Sequence, residues 1–393
     1  MIRKHRQFGF REFGFRQAGF NLLDLLIGVA ISLFGLLAVA VVFRDFGQQR
    51  TTQVNASESQ TNGTMALYLI ERDLGQAGYG MMGLQNCSYI NYYNNGDAIP
   101  AHFNDPFLPG VATALTTLPV RIIDGGVGVS DSMIVQFGNP NAGTNGSLIN
   151  NIVTYPSDYP ISSAVGFAVG DKAVANINNI CTMIEVTTNP ISPSGTPVAV
   201  LSINHETSSP FNVNASPGGA GWNSVTAADL AATTKPFLYN LGGFVSRRYS
   251  VAPSSGTFAL MLDEFPYTSP ATPLVDEIVF MKAQYGIAGA VITTCPTASS
   301  KVVTAWVTGA TAINNTTACH VIAVRVGVVA RSPLLEKNGI DAPTTLTVLP
   351  APPTGAGAAV TYTIPNLDAN GKAHYRYRAY TTIIPLKNVI WSQ

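Results

Sequence analysis

The sequence predicts an α+β protein in which a long N-terminal helix, membrane-spanning in its first half, packs on a large β-rich globular domain. Three observations carry that prediction. An uncharged apolar run extends from Leu25 to Phe43. The next segment, Arg44 to about Ala77, lacks proline and repeats apolar residues at helical steps. From about Tyr79 to Gln393 the chain is rich in Gly, Pro, Asn, Ser, Thr and Val, with short β-prone runs between turn residues.

The apolar run comes first. Its 19 residues, rising about 1.5 Å each, cover roughly 28 Å, close to the thickness of a bilayer core. Ahead of it stand Arg3, Lys4, Arg6, Arg11 and Arg16 against a single acid, Glu12. Positive charge before an apolar span holds that end in the cytoplasm, so the chain beyond the span is expected to face outward. An ordinary secretory signal places its small-residue cleavage region after the apolar part. Here the small pair Ala18-Gly19 stands before it, and cutting there would remove only the charges and keep the helix. Asp24, near the start of the span, carries a desolvation cost of up to about 3 kcal/mol unless it reaches the interface or meets a cation. Cleavage between Gly19 and Phe20 would set a new α-amino group one helical turn from Asp24, and in a filament a neighbouring subunit's amine could serve instead. The competing reading is a plain signal anchor, with Asp24 at the headgroups and Gly19 merely flexible.

In the second helical segment Ala66, Ile70, Leu74 and Ala77 recur at three- and four-residue steps, so one face is expected to pack on a domain. Gly47 and Gly63 each weaken a helix by about 1 kcal/mol, which predicts local melting there. Gly75, Gly78 and Gly80 are expected to end it. The triplet Glu71-Arg72-Asp73 reads as a solvated face without catalysis.

Beyond it the predicted strands are Ser132 to Phe137, Ala173 to Ile177, Met183 to Thr187, Val198 to Ile203, Phe258 to Leu262, Glu277 to Ile287, Val321 to Ala330 and Tyr375 to Ile384. The stretch from about 138 to 255, rich in Asn, Pro, Ser and Gly, reads as an insertion or second lobe. Cys87, Cys181, Cys295 and Cys319 all fall in the outward part, and an even number in an oxidising compartment suggests two disulfides. Three pairings are open. The preferred one joins Cys295 to Cys319, closing a loop of modest length, and Cys87 to Cys181.

Only 11% of residues are charged, so the surface should be polar but weakly charged. Loss of residues 1–19 would remove five basic residues and one acid, leaving 17 basic, 21 acidic and a net charge of −4. Arg247-Arg248 and Arg376/Arg378 are too few for a nucleic-acid footprint, and no nucleic acid is expected as a partner. No Cys-x-x-Cys or His-x-x-x-His spacing supports a metal, and Gly125-Gly126-Val127-Gly128 lacks the context of a dinucleotide site. Without a Walker loop, Gly-x-Ser-x-Gly or His-Glu-x-x-His, no catalytic residue, cofactor or metal is assigned.

The basic leader, Gly19-Phe20, an acid at the fifth mature position and an apolar helix together resemble the class III signal of type IV pilins and type II secretion pseudopilins. That resemblance implies a prepilin peptidase that cuts after Gly19 and methylates Phe20. Asp24 stands where the family usually has glutamate, one methylene longer, which bears on the strength of the amine pairing. The segment Met65 to Gly80 resembles the end of the first helix in PilW-type minor pilins, followed by a Gly-rich turn and a cysteine, here Cys87. Val275 to Ile287, Trp306, Ile322 to Ser332 and Tyr375 to Asn388 resemble that family's C-terminal strands, with Arg325 and Arg376 expected to be architectural.

The resemblance implies a cytoplasmic leader at 1–19 and a pilin helix at 20–78, transmembrane over about 20–43. It implies a periplasmic β-rich domain at 79–393. The protein would sit in the inner membrane and then at a pilus tip, starting or capping the fibre with other minor pilins, the major pilin and a tip adhesin as partners. The alternatives are a large tip pseudopilin of a type II secretion system and, from another class, a membrane-anchored exterior enzyme or binding module.

Overall fold

A computed structural model describes residues 21–92, 114–188, 201–212, 225–289 and 302–391, apart from positions 85, 88, 143–145, 154–157, 207–208, 210, 266–269, 312, 314–316, 337–338 and 353–356. The chain divides into two compact units, 1–54 and 55–393. Helix α1, Leu22–Leu74, belongs to both: its first part is all that is described of the first unit, and its last part opens the second.

The helix is unbroken through Gly47 and Gly63, which corrects the expectation of local melting. At Gly63 the reason is packing: a β-carbon there would lie 2.2 Å from Cδ2 of Tyr380, so the missing side chain is what lets the ring lie on the backbone. The helix stops at Leu74, and Gly78 and Gly80 come after it with φ of +79° and +77°, a region that favours glycine.

In the second unit, four antiparallel strands lie in the order Val303–Thr308, Ile278–Ala288, Val321–Arg331, Tyr377–Pro385. Along Val321–Arg331 the side chains alternate between faces. Val324, Val326, Val328 and Ala330 join a core with Ala66, Ile70, Leu74 and Ala77 of α1. Val329 packs in a separate cluster with Phe280 and Val348, beneath the hairpin Thr345–Leu349 with Val360–Thr363. Cover on both faces explains why this strand reads as an unbroken apolar run. Glu277, predicted to open the neighbouring strand, instead precedes it with φ of +61°, and the strand starts at Ile278.

A second antiparallel sheet has the order Thr272–Asp276, Thr257–Glu264, Val245–Ser254, Ser132–Phe137, Val120–Ile123. It contributes Val120, Ile122, Met133, Val135, Tyr249 and Leu260 to the same core as α1. A third sheet has six strands: Ala114–Leu115, Ile90–Asn91, Ile180–Glu185, Lys172–Ile177, Phe237–Gly242, Ser147–Leu148. Within it Ile90–Asn91 runs parallel to Ile180–Glu185. The third sheet supports two further clusters, one around Cys87, Ile90, Val174 and Leu241, the other around Ile149, Tyr159, Ile184 and Leu238.

The strand Val245–Ser254 was not predicted. Arg247, Arg248 and Pro253 hide its alternation. Pro253 is tolerated because this strand pairs with Ser132–Phe137 only over Val245–Tyr249 and has a neighbour on one side alone at Pro253.

Candidate assembly site

In the first unit the apolar side chains of α1 face outward all round. Leu22 is 75% exposed, Phe34 73% and Phe43 72%, and a β-carbon on Gly28 or Gly35 would meet nothing within 4 Å. None of the most apolar 18-residue window is buried, and the helix is long and apolar enough to cross a membrane. A helix apolar on every side requires an apolar surrounding, either lipid or other helices. Ser32 meets the demand locally by donating its hydroxyl to the Gly28 carbonyl at 2.7 Å. Asp24 lies exposed in the first turn. Gly19 and Phe20 lie outside the described residues.

In the second unit α1 is amphipathic and seated. Asn55 is wholly buried: its amide nitrogen donates to the Leu334 carbonyl at 3.1 Å, and its amide oxygen accepts from the Leu334 N–H at 3.3 Å. Ser59 is buried with its hydroxyl 3.5 Å from the Ala330 carbonyl. Ala66, Ile70, Leu74 and Ala77 then carry the apolar stripe into the core predicted for them.

Asp73 corrects the reading of a solvated charged triplet. Its side chain is 0% exposed. It accepts from Arg72 Nε at 3.0 Å, from Arg247 Nη1 at 3.1 and 2.9 Å, and from the Tyr249 hydroxyl at 2.6 Å. Arg247 also donates to Glu264 at 2.6 Å. Burial by itself pulls the Arg247 guanidinium down, but the hydrogen bonds it donates to Asp73 and Glu264 outweigh it and the net shift is upward. Burial, and after it the Asp73 carboxylate, push the Tyr249 hydroxyl well above its ordinary value. The cluster fastens the end of α1 to the five-stranded sheet. The signal that could have revealed it is positional: Asp73 falls three residues after Ile70 and four before Ala77, on the apolar stripe and not across from it.

The remaining predicted residues separate. Cys87 and Cys181 form a disulfide with a Cα–Cα distance of 5.8 Å. Cys319 is disulfide-bonded, and Cys295 lies outside the described residues. Arg325 is 2% exposed, donates Nε to Gln284 at 2.7 Å and Nη1 to the Pro350 carbonyl at 2.9 Å, and lies 5.0 Å over the Trp306 ring. Burial lowers its affinity for the proton. Arg376 donates to Glu336 at 2.7 Å.

Residues 248–388 match the family model for type IV pilus-assembly protein W, PilW. The C-terminal region is PilW-type. The match covers the strands Thr257–Glu264, Ile278–Ala288, Val321–Arg331 and Tyr377–Pro385, which form much of the seat of α1. The match associates the C-terminal region with type IV pilus assembly, and the apolar helix, which lies outside the matched residues, is long and apolar enough to anchor in a membrane. No curated protein and no solved structure matches the chain.

Proposed function

We propose that this chain is a minor subunit that helps to start or cap a type IV pilus. The prepilin peptidase cuts after Gly19 and methylates Phe20, the helix is held in the inner membrane with the β-rich domain in the periplasm, and the same helix then enters the filament core. Asp24 pairs there with an α-amino group, its own or a neighbour's. The domain, including a lobe at about 138–255, docks other minor pilins, the major pilin or a tip adhesin. The observation that carries this reading is the uncovered apolar half of α1 in a chain whose C-terminal region is PilW-type. A helix of that kind is stable in lipid and equally stable among other apolar helices, so it can pass from one to the other without an aqueous intermediate.

The test is Gly19→Val in the full-length chain. The expected result is a precursor that keeps its leader and a cell without pili, while the wild-type protein yields N-methyl-Phe20 at its mature N-terminus by mass spectrometry. An unprocessed variant that builds pili at the normal level would falsify the reading. Co-purification with secretion pseudopilins in place of pilus subunits would move the chain to type II secretion.

A further inference from the structure

A buried cluster away from the helix has the parts of a self-acylation site. Lys282, on the strand Ile278–Ala288, reaches the segment that joins Val120–Ile123 to Ser132–Phe137. Its Nζ lies 2.5 Å from Asp131 Oδ1 and 3.1 Å from Asp124 Oδ1, and donates to the Gly126 carbonyl at 2.8 Å. The side chains of Asp131, Lys282 and Asp124 are 1%, 10% and 18% exposed. Backbone N–H groups already grip the Asp131 carboxylate: Gly125 donates to Oδ1 at 3.0 Å and Ala283 to Oδ2 at 3.0 Å.

We propose that Lys282 Nζ and Asp131 Cγ condense to an intramolecular amide, with Asp124 carrying the proton. The ammonium gives one proton to Asp131, leaving a neutral amine beside a neutral acid, a pair that a dry site favours over two charges. The amine lone pair attacks Cγ, the N–C bond forms, and the negative charge that develops on Oδ2 is held by the Ala283 N–H. Asp124 takes a second proton from nitrogen and delivers it to Oδ1. The C–O bond breaks, one water leaves, the carbonyl reforms and Asp124 is again a carboxylate. No oxidant or cofactor enters the balance. The two acids are tuned apart, as the division of labour requires. Burial raises Asp131, favouring its acid form. At Asp124 burial also acts upward, but hydrogen bonds from the Gly126 N–H and Lys282 outweigh it and keep the group a base. The 2.5 Å approach of Nζ to Oδ1 supplies the proximity that lets amide formation proceed without an external catalyst. The product ties a strand of the four-stranded sheet to the five-stranded sheet, both of which hold α1.

The experiment is peptide mapping of the full-length wild-type protein after reduction. Trypsin cuts after Arg121 and Lys172, leaving Asp131 on 122–172, and cannot cut after an acylated Lys282, leaving 249–301. The expected product is these two peptides joined, with the mass of one water missing. Separate peptides of sequence mass, with cleavage at Lys282, would overturn the proposal in favour of an ion pair. Lys282→Arg should release the peptides. Asp124→Asn should do the same, and a link formed to the wild-type extent in that variant would overturn the role of Asp124.

Discussion

The two parts of α1 are one continuous helix and obey different solvents. Before residue 55 the leucines and phenylalanines are exposed on every side, and Gly28 and Gly35 have nothing near them. After it a stripe at three- and four-residue spacing is buried, the space beside a glycine is filled by the Tyr380 ring, and a carboxylate is wholly enclosed. Helix formation is common to both and therefore explains neither. What differs is the source of stability: side-chain packing and paired charge in one part, and in the other an apolar environment that must come from outside the chain.

The sharpest break of that contrast is Asp73→Ala. It leaves Arg247 and the Tyr249 hydroxyl facing an empty site, and the loss of one partner from a buried charged cluster costs about 3 kcal/mol. Denaturant unfolding of the full chain in detergent should report a lower midpoint with an unchanged slope. Arg72→Ala, which removes a side chain that is 46% exposed, should cost less than about 1 kcal/mol. Equal effects from the two would mean that Asp73 is not the fastening point.

Next in size is Gly63→Val. Its β-carbon would sit within the Tyr380 ring's volume, and relieving it by moving the strand Tyr377–Pro385 should cost about 1–3 kcal/mol. A companion Tyr380→Ala that restores stability would locate the clash.

How much of this was readable from sequence depends on where the physical cause lies. The apolar run, the stripe from Ala66 to Ala77 and the strand Val321–Arg331 were legible because their causes are local patterns of hydrophobicity. The strand Ser132–Phe137 was predicted with the bounds observed, since its apolar residues stand between turn signals. Asp73 and Gly63 were misread for the opposite reason. A charged triplet and a helix glycine have ordinary local meanings, and what reverses them is a tertiary partner, Arg247 or Tyr380, 174 and 317 positions further on. Val245–Ser254 escaped because Arg247 is paired within the fold, with Asp73 and Glu264, and so does not mark a solvated loop. Lys282 carried no sequence signal at all; Asp131 is brought to it where the segment before Ser132–Phe137 meets the four-stranded sheet, its N–H donating to the Met281 carbonyl at 2.9 Å.

A second helix sharpens the comparison from the local side. The short α2, Ala227–Ala231, has neither an apolar sleeve nor a long seat and relies on its cap: Thr226 and Asp229 satisfy each other's backbone N–H groups. Thr226→Ala should cost about 1 kcal/mol locally, read as faster amide exchange at residues 229 and 230. Hydrogen bonds from Thr226 lead in holding the Asp229 carboxyl below its usual range, against a smaller upward push from burial. A depressed folded value means that this contribution is present in full above the unfolded value, about pH 4, and is lost as the pH falls through the folded one. Acid should therefore lower the protection factor at residues 229 and 230, each rate being taken relative to the intrinsic rate at the same pH, in the wild type more than in Thr226→Ala.

The smallest expected effect on folding is the most telling about the helix. Gly35→Ala adds a methyl group where no atom lies within 4 Å, so the unfolding midpoint of the domain should move by less than about 0.5 kcal/mol. The same change at Gly63 meets the Tyr380 ring and should destabilise. In a filament the prediction reverses, because small residues let apolar helices approach closely and a methyl at the contact pushes them apart. Gly35→Ala should then lower the amount of this subunit recovered in sheared pili, while Gly63→Ala, once folded, should not. If both glycines affected folding alike and neither affected recovery, the first part of α1 would be an anchor alone, and its exposed apolar surface would answer to lipid and to nothing else.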